Sequence, residues 1–277
     1  MAVRYKGFLS GNVLKIIAAV AMVFDHIAVA AVMFGSGFPG SVLFSQADTA
    51  YRVLRIIGRL SFPIFAFFIA EGCRHTSDRK KYFLTVCLFG LIIDAGYYIF
   101  AKVLEESDLY LSVPAVYLNI FTTFSLSILV IYGYDATVKS VKEKDGNFFL
   151  HLLEFVGAIA LAVFIHYFAR DKGGYLDYGF AGALLPLFAY MVRDYRFKVI
   201  PFAIGCVAVS AFYYYLDPAS KGNSMYWYML CALPLLALYN GERGRLKMKY
   251  FFYLFYPAHL GVVYLAAILI GYFTSRV

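Results

Sequence analysis

Nine apolar stretches, most of them about as long as a bilayer is thick, decide what this chain can fold into. They run over about 12–34, 53–71, 82–101, 113–134, 149–169, 175–192, 197–216, 224–240 and 250–272. A helix needs about 20 apolar residues to cross the hydrocarbon core. Only helices and closed barrels satisfy every backbone group there. Composition points the same way: of 277 residues 62% are hydrophobic and 15% charged, where soluble domains carry roughly 25% charge. The expected fold is all-α, a polytopic integral membrane bundle of about nine helices in one domain over residues 1–277. The sixth and eighth stretches are short, so eight or ten spans also fit. Pro63 should kink the second.

Lys and Arg alternate between the connections. The set holding Arg4, Lys6, Arg74, Lys80, Lys139, Arg196, Lys198 and Lys247 carries sixteen in all, and the alternate set, from Arg52 to Arg276, carries six. The positive-inside rule then places the N-terminus in the cytoplasm. The net charge of +8 is mostly this topology, so the bilayer is the expected partner and nucleic acid is not. Cys73, Cys87, Cys206 and Cys231 sit in or beside apolar runs without metal spacing. They read as small buried hydrophobes, and no metal site is expected.

Against this apolar background the polar residues stand out. Lys15, Asp25 and His26 share the first span, where an ionised residue at the centre costs roughly 2.5–3.5 kcal/mol on translocon scales. Lys15 and His26 are eleven residues apart, on one face and roughly 16 Å apart along the axis. The second span carries Arg55 and Arg59 on one face. Arg59 is expected at the depth of Asp25, and their ion pair serves either as a helix clamp or as part of a functional site. Adjacent helical residues do not face each other, so Asp94 or a tyrosine is better placed than Asp25 to orient His26. Glu71, Arg74 and His75 share a face at the other end of the second span. Asn119, Asp177 and Tyr178 lie near span ends, and His259 lies mid-depth in the ninth. His259 fits a functional group and an interhelical hydrogen bond equally well, whereas His151 and His166 fit the membrane interface. No GxSxG, HExxH or Walker lysine loop is present.

The blocks LKIIAAVAMVFDHIA, LRIIGRLSFPIFAFFIAEGCRHTSDRKKY, DYGFAGALL, LPLLALYNGERG and KYFFYLFYPAHL occur in order and resemble the TraX family over nearly the whole chain. That family is similar to the wider transmembrane acyltransferases, which include the acyltransferase 3 proteins. In those proteins an arginine precedes a histidine by eleven positions; here Lys15 and His26 hold that spacing. The resemblance implies a multi-pass protein of the bacterial cytoplasmic membrane and acetyl transfer from acetyl-CoA. The name-giving member is associated with N-terminal acetylation of pilin, while the acceptor of this chain is left open.

Acyl transfer needs a base for the attacking group and a donor for the developing oxyanion. A histidine titrates near neutrality and suits the first task. The expectation is thus an acetyl-CoA-dependent O- or N-acyltransferase with His26 as general base and Arg59 with Asp25 as a charged pair beside it. Lys15, Glu71, Arg74, His75 and Lys80 are the cofactor-binding candidates. Arg55, Asn119, Asp177, Tyr178 and His259 are the candidates for the acceptor side. The alternative is a proton- or ion-coupled transporter using the same buried groups.

Overall fold

The computed structural model describes residues 7–35, 49–105, 114, 116–144, 146–194, 197–245 and 248–274. Of the basic residues used to orient the chain, Arg4, Lys6, Arg196, Lys247 and Arg276 lie outside them. In chain order come α1 (Gly11–Gly35), α2 (Thr49–Gly58), α3 (Ser61–His75), α4 (Arg79–Glu105), β1 (Tyr117–Leu118), α5 (Ile120–Glu143) and α6 (Phe148–Asp171). They are followed by β2 (Tyr175–Leu176), α7 (Gly179–Met191), α8 (Val199–Ala211), a π-helical turn (Phe212–Leu216), a 3₁₀ helix (Ser224–Ala232), α9 (Leu233–Ala237) and α10 (Lys249–Thr274).

Among the described residues seven helical segments are long and apolar enough to cross a membrane, counting α2 and α3 as one segment and α8 with the π-turn as another. Two more, Gly179–Met191 and Ser224–Ala237, are apolar but shorter. These are the sixth and eighth stretches, whose shortness the sequence shows. The protein is an all-α multi-pass membrane protein. α1 illustrates why. Leu14, Ala18, Ala21, Met22 and Ala28 form its buried face, while Val13, Ile16, Val20, Phe24 and Ile27 stay exposed on the other. A helix apolar all round needs lipid on its outer side.

The interruption between α2 and α3 has a local cause. Pro63 has no N–H to offer the carbonyl of Arg59, four residues earlier, and its ring crowds that carbonyl. The helix breaks at Arg59 and Leu60, where Leu60 N–H reaches only three residues back, to Ile57 O at 3.1 Å. The kink expected from Pro63 is therefore a full break, one turn ahead of the proline.

The chain packs as two compact units. The first comprises Met1–Phe65, Phe100–Val113 and Tyr213–Val277. Here Ala30, Met33, Phe34, Leu104 and Ala267 form an apolar cluster, with Phe100 and Tyr264 packed on it. The start of α1 is tied to the segment after α9: Leu9 N–H donates to Leu238 O at 3.0 Å and Gly11 N–H to Glu242 O at 2.8 Å.

The second unit comprises Ala66–Ile99 and Pro114–Phe212. Leu126, Ala162, Leu176 and Ala183 form its apolar cluster. α5 and α6 approach closely at Gly133, where a Cβ would lie 2.7 Å from the Cα of Phe155. Such contacts are how membrane helices gain packing without a hydrophobic drive between them. β1 and β2 pair in parallel, Tyr117 with Tyr175 and Leu118 with Leu176. Nothing in the sequence marks this ladder, because two residues are too few to show a period of two.

Candidate functional site

The first unit gathers six of the residues singled out in the sequence: Lys15, Asp25, His26, Arg55, Arg59 and His259. His26 on α1 and His259 on α10 meet directly, His26 Nδ1 lying 2.6 Å from His259 Nε2. The two rings are near parallel, 27° between their planes with centroids 4.9 Å apart. His259 Nδ1 is 2.8 Å from the carbonyl oxygen of Phe255. Phe255 also stacks on the His259 ring at 4.9 Å between centroids, and Tyr256 sits edge-on to both imidazoles.

These contacts fix the protons. A carbonyl oxygen only accepts, so His259 Nδ1 carries a hydrogen and donates it. In a neutral imidazole the other nitrogen is then an acceptor. His259 Nε2 must therefore accept from His26 Nδ1–H. His26 is left with a bare lone pair on Nε2, which makes no hydrogen bond among the described residues. Neither Asp94 nor a tyrosine hydroxyl orients His26; a second histidine does.

Asp25 does not pair with Arg59. Its Oδ2 accepts from Arg55 Nη1 at 2.6 Å, with both side chains 19% exposed. α2 ends at Gly58, yet Arg59 N–H still reaches Arg55 O at 3.1 Å, so the turn joining the two arginines is intact and it is the Arg55 side chain that reaches the Asp25 carboxylate. Arg59 is itself buried and lies over the ring of Tyr226, 5.5 Å from its centroid. Asp25 Oδ1 is buried without a hydrogen-bond partner among the described residues. It packs on the backbone of Gly58, where a Cβ would come within 2.2 Å of it. Lys15 is half-buried, nearly three turns before His26 on α1.

The second unit holds Glu71, Arg74, His75, Lys80, Asn119, Asp177 and Tyr178. Their hydrogen bonds are largely used within the unit. Glu71 accepts from Lys198 Nζ, both side chains being almost fully buried, and His75 lies 3.7 Å from its other oxygen. Lys198 precedes α8, and burial pulls its ammonium pKa below the ordinary lysine value while Glu71 opposes the shift. Arg74 donates to the carbonyls of Tyr190 and Val192, at 2.5 and 3.0 Å, where α7 ends. Cations near carbonyls at a helix end are stabilising. Lys80 and the His75 ring are exposed.

Asn119 caps α5: its Oδ1 accepts from Phe121 N–H at 2.8 Å, and its Nδ2 donates to Gly90 O and to Asp94. Asp94 also accepts from Thr122 Oγ1 at 2.6 Å. Asp177 continues the small ladder through its N–H to Leu118 O at 2.8 Å. Tyr178 starts α7 in the left-handed region, at φ 54°.

Several partners escaped the sequence. Lys198 is indistinguishable there from the other loop bases, and only its burial against Glu71 reveals it. Gly58 and Tyr226 carry no signal of their own. His166 is buried against Phe180 and Tyr167. Cys73 and Cys206 are buried as expected, whereas Cys231 is exposed. Among the described residues no group of His, Cys, Asp and Glu is arranged to hold a metal ion.

A family model described as TraX protein matches residues 10–267. The chain is also 27% identical, over 262 residues, to a protein of Dichelobacter nodosus described as probable fimbrial assembly protein FimC, serogroup H1. That similarity covers 90% of this chain and 92% of the relative. No solved structure matches. The family is known for pilin acetylation, which is consistent with an acyltransferase in general. These findings correct the functional expectation. A general acetyltransferase with an open acceptor and an Arg59–Asp25 pair, and the transporter set beside it, give way to a role in pilin acetylation or assembly, where family and relative both point.

Proposed function

We propose a function from one premise: this chain belongs to the TraX family. On that premise it is a membrane-embedded acyltransferase that modifies a pilin-type subunit during fimbrial assembly. The observation that carries this reading is the His26–His259 pair, held between α1 and α10 with one lone pair left bare on His26 Nε2. Acylation of an amine by a thioester forms a bond from nitrogen to the acyl carbon and breaks that carbon's bond to sulfur; the nitrogen gives up a proton and the leaving thiolate takes one up. His26 Nε2 is the atom that takes it, a task to which a positioned base contributes typically 10²–10⁴-fold.

Asp25 and Arg55 lie beside the pair, and their role is to fix α2 against α1. Acetyl-CoA is the donor we assign, and the bacterial cytoplasmic membrane the location. The test compares the mass of the fimbrial or pilin subunit from the parent strain, a deletion strain and a strain carrying His26→Ala at equal protein abundance. The acyl group should be missing from the last two. An identically modified subunit in all three strains contradicts the proposal.

A further inference from the structure

We infer that His259 is a positioning residue, selecting the tautomer in which His26 presents an unprotonated Nε2. The inference deepens the reading of His26 as the proton acceptor and rests on it. Its basis is a chain of hydrogen bonds with one direction. Phe255 O can only accept, so it fixes the proton on His259 Nδ1. That leaves His259 Nε2 as an acceptor, 2.6 Å from His26 Nδ1. The proton of His26 is thereby drawn to Nδ1, away from the nitrogen that would do the work. Which imidazole nitrogen is protonated is set by the hydrogen bond that the other one makes.

The surroundings hold this arrangement in place. His259 is 7% exposed, is stacked on Phe255 at an interplanar angle of 14°, and has Tyr256 edge-on at 5.6 Å. Phe255, Tyr256 and His259 share one turn of α10, with Pro257 inside it. The proline deprives Tyr253 O of its usual helical donor, yet α10 runs unbroken through it. The charged groups near the pair are Asp25, adjacent to His26 in the chain, and Arg55, bound to Asp25. Neither has a hydrogen bond to either imidazole, so the tautomer is set by His259.

The test is nitrogen-15 NMR of the full-length protein, labelled at histidine and held in lipid nanodiscs. The chain has five histidines, and His26→Gln assigns the His26 signals. Wild type should show His26 protonated at Nδ1 and bare at Nε2. His259→Ala should release it toward the Nε2–H form, and His259→Gln, whose side-chain oxygen can accept from Nδ1–H, should restore the wild-type pattern. In subunit acylation, His259→Ala should lower kcat by about 10–100-fold, the scale seen for partners of metal-bound histidines, with KM little changed.

Where His259→Ala does not fold, the wild-type and His259→Gln spectra decide by themselves. A His26 protonated at Nε2 in wild type, or a pattern unmoved by His259→Ala, overturns the inference. Should the tautomer respond as described while wild type acylates no pilin subunit, the positioning stands and the assigned reaction fails.

Discussion

The two units differ in what their polar residues are bonded to. In the second, Glu71 is met by Lys198, Arg74 by two carbonyls at the end of α7, and Asp94 by Asn119 and Thr122, with Arg74 Nε alone of these left without a hydrogen bond among the described residues. In the first, His26 keeps a bare Nε2 and Asp25 a buried oxygen with no hydrogen bond among the described residues. Leaving such a group unsatisfied costs about 1–3 kcal/mol. Asp25 bears that cost while its other oxygen holds Arg55, one residue from a half-committed histidine. What sets the first unit apart is the His26–His259 pair, whose one uncommitted nitrogen is available for chemistry.

The comparison can be broken most forcefully at His26. Replacing it by alanine should reduce acylation of the pilin-type subunit by about 10²–10⁴-fold and leave thermal stability in detergent near wild type. A large fall in melting temperature would place His26 with the structural groups. The opposite pattern is expected in the second unit. Glu71→Ala leaves Lys198 buried without its carboxylate and should destabilise by about 3–5 kcal/mol, read as a lower unfolding midpoint. Replacing both members, Glu71→Leu with Lys198→Met, should recover most of that loss, since a buried pair is often neutral against apolar residues of similar size.

Gly58 sharpens the first half of the comparison. Alanine there collides with Asp25, and overpacking of this kind costs about 1–3 kcal/mol. Because the displaced carboxylate adjoins His26, acylation per folded molecule should fall as well. Asn119→Ala has the smallest effect of the set on acylation. It removes the α5 cap and the Nδ2 bonds to Gly90 O and Asp94 and should destabilise by about 1–3 kcal/mol, while the acylation rate per folded molecule should stay at the wild-type value.

The sequence made much of this legible and missed the rest for identifiable reasons. Long apolar runs report helices directly, so the bundle and even the two short helices could be read from their lengths. Lys15, Asp25, His26 and His259 were visible because a polar residue in an apolar run is conspicuous. Their pairing was not visible: His259 lies 233 residues from His26, and no local pattern reports a contact at that separation. The choice of Arg55 over Arg59 for Asp25 was not legible either, since both arginines share one helical face and only the contact itself decides between them. Pro63 announced the break, but its position one turn earlier follows only from the carbonyl that the proline strands.

Purified protein, a fimbrial or pilin subunit and labelled acetyl-CoA give the most direct measurement. Label transfer should be seen with wild type and with the Glu71→Leu, Lys198→Met double variant, and should be lost with His26→Ala. Transfer by His26→Ala at the wild-type rate, or loss of transfer in the folded double variant, would contradict the assignment of the chemistry to the histidine pair.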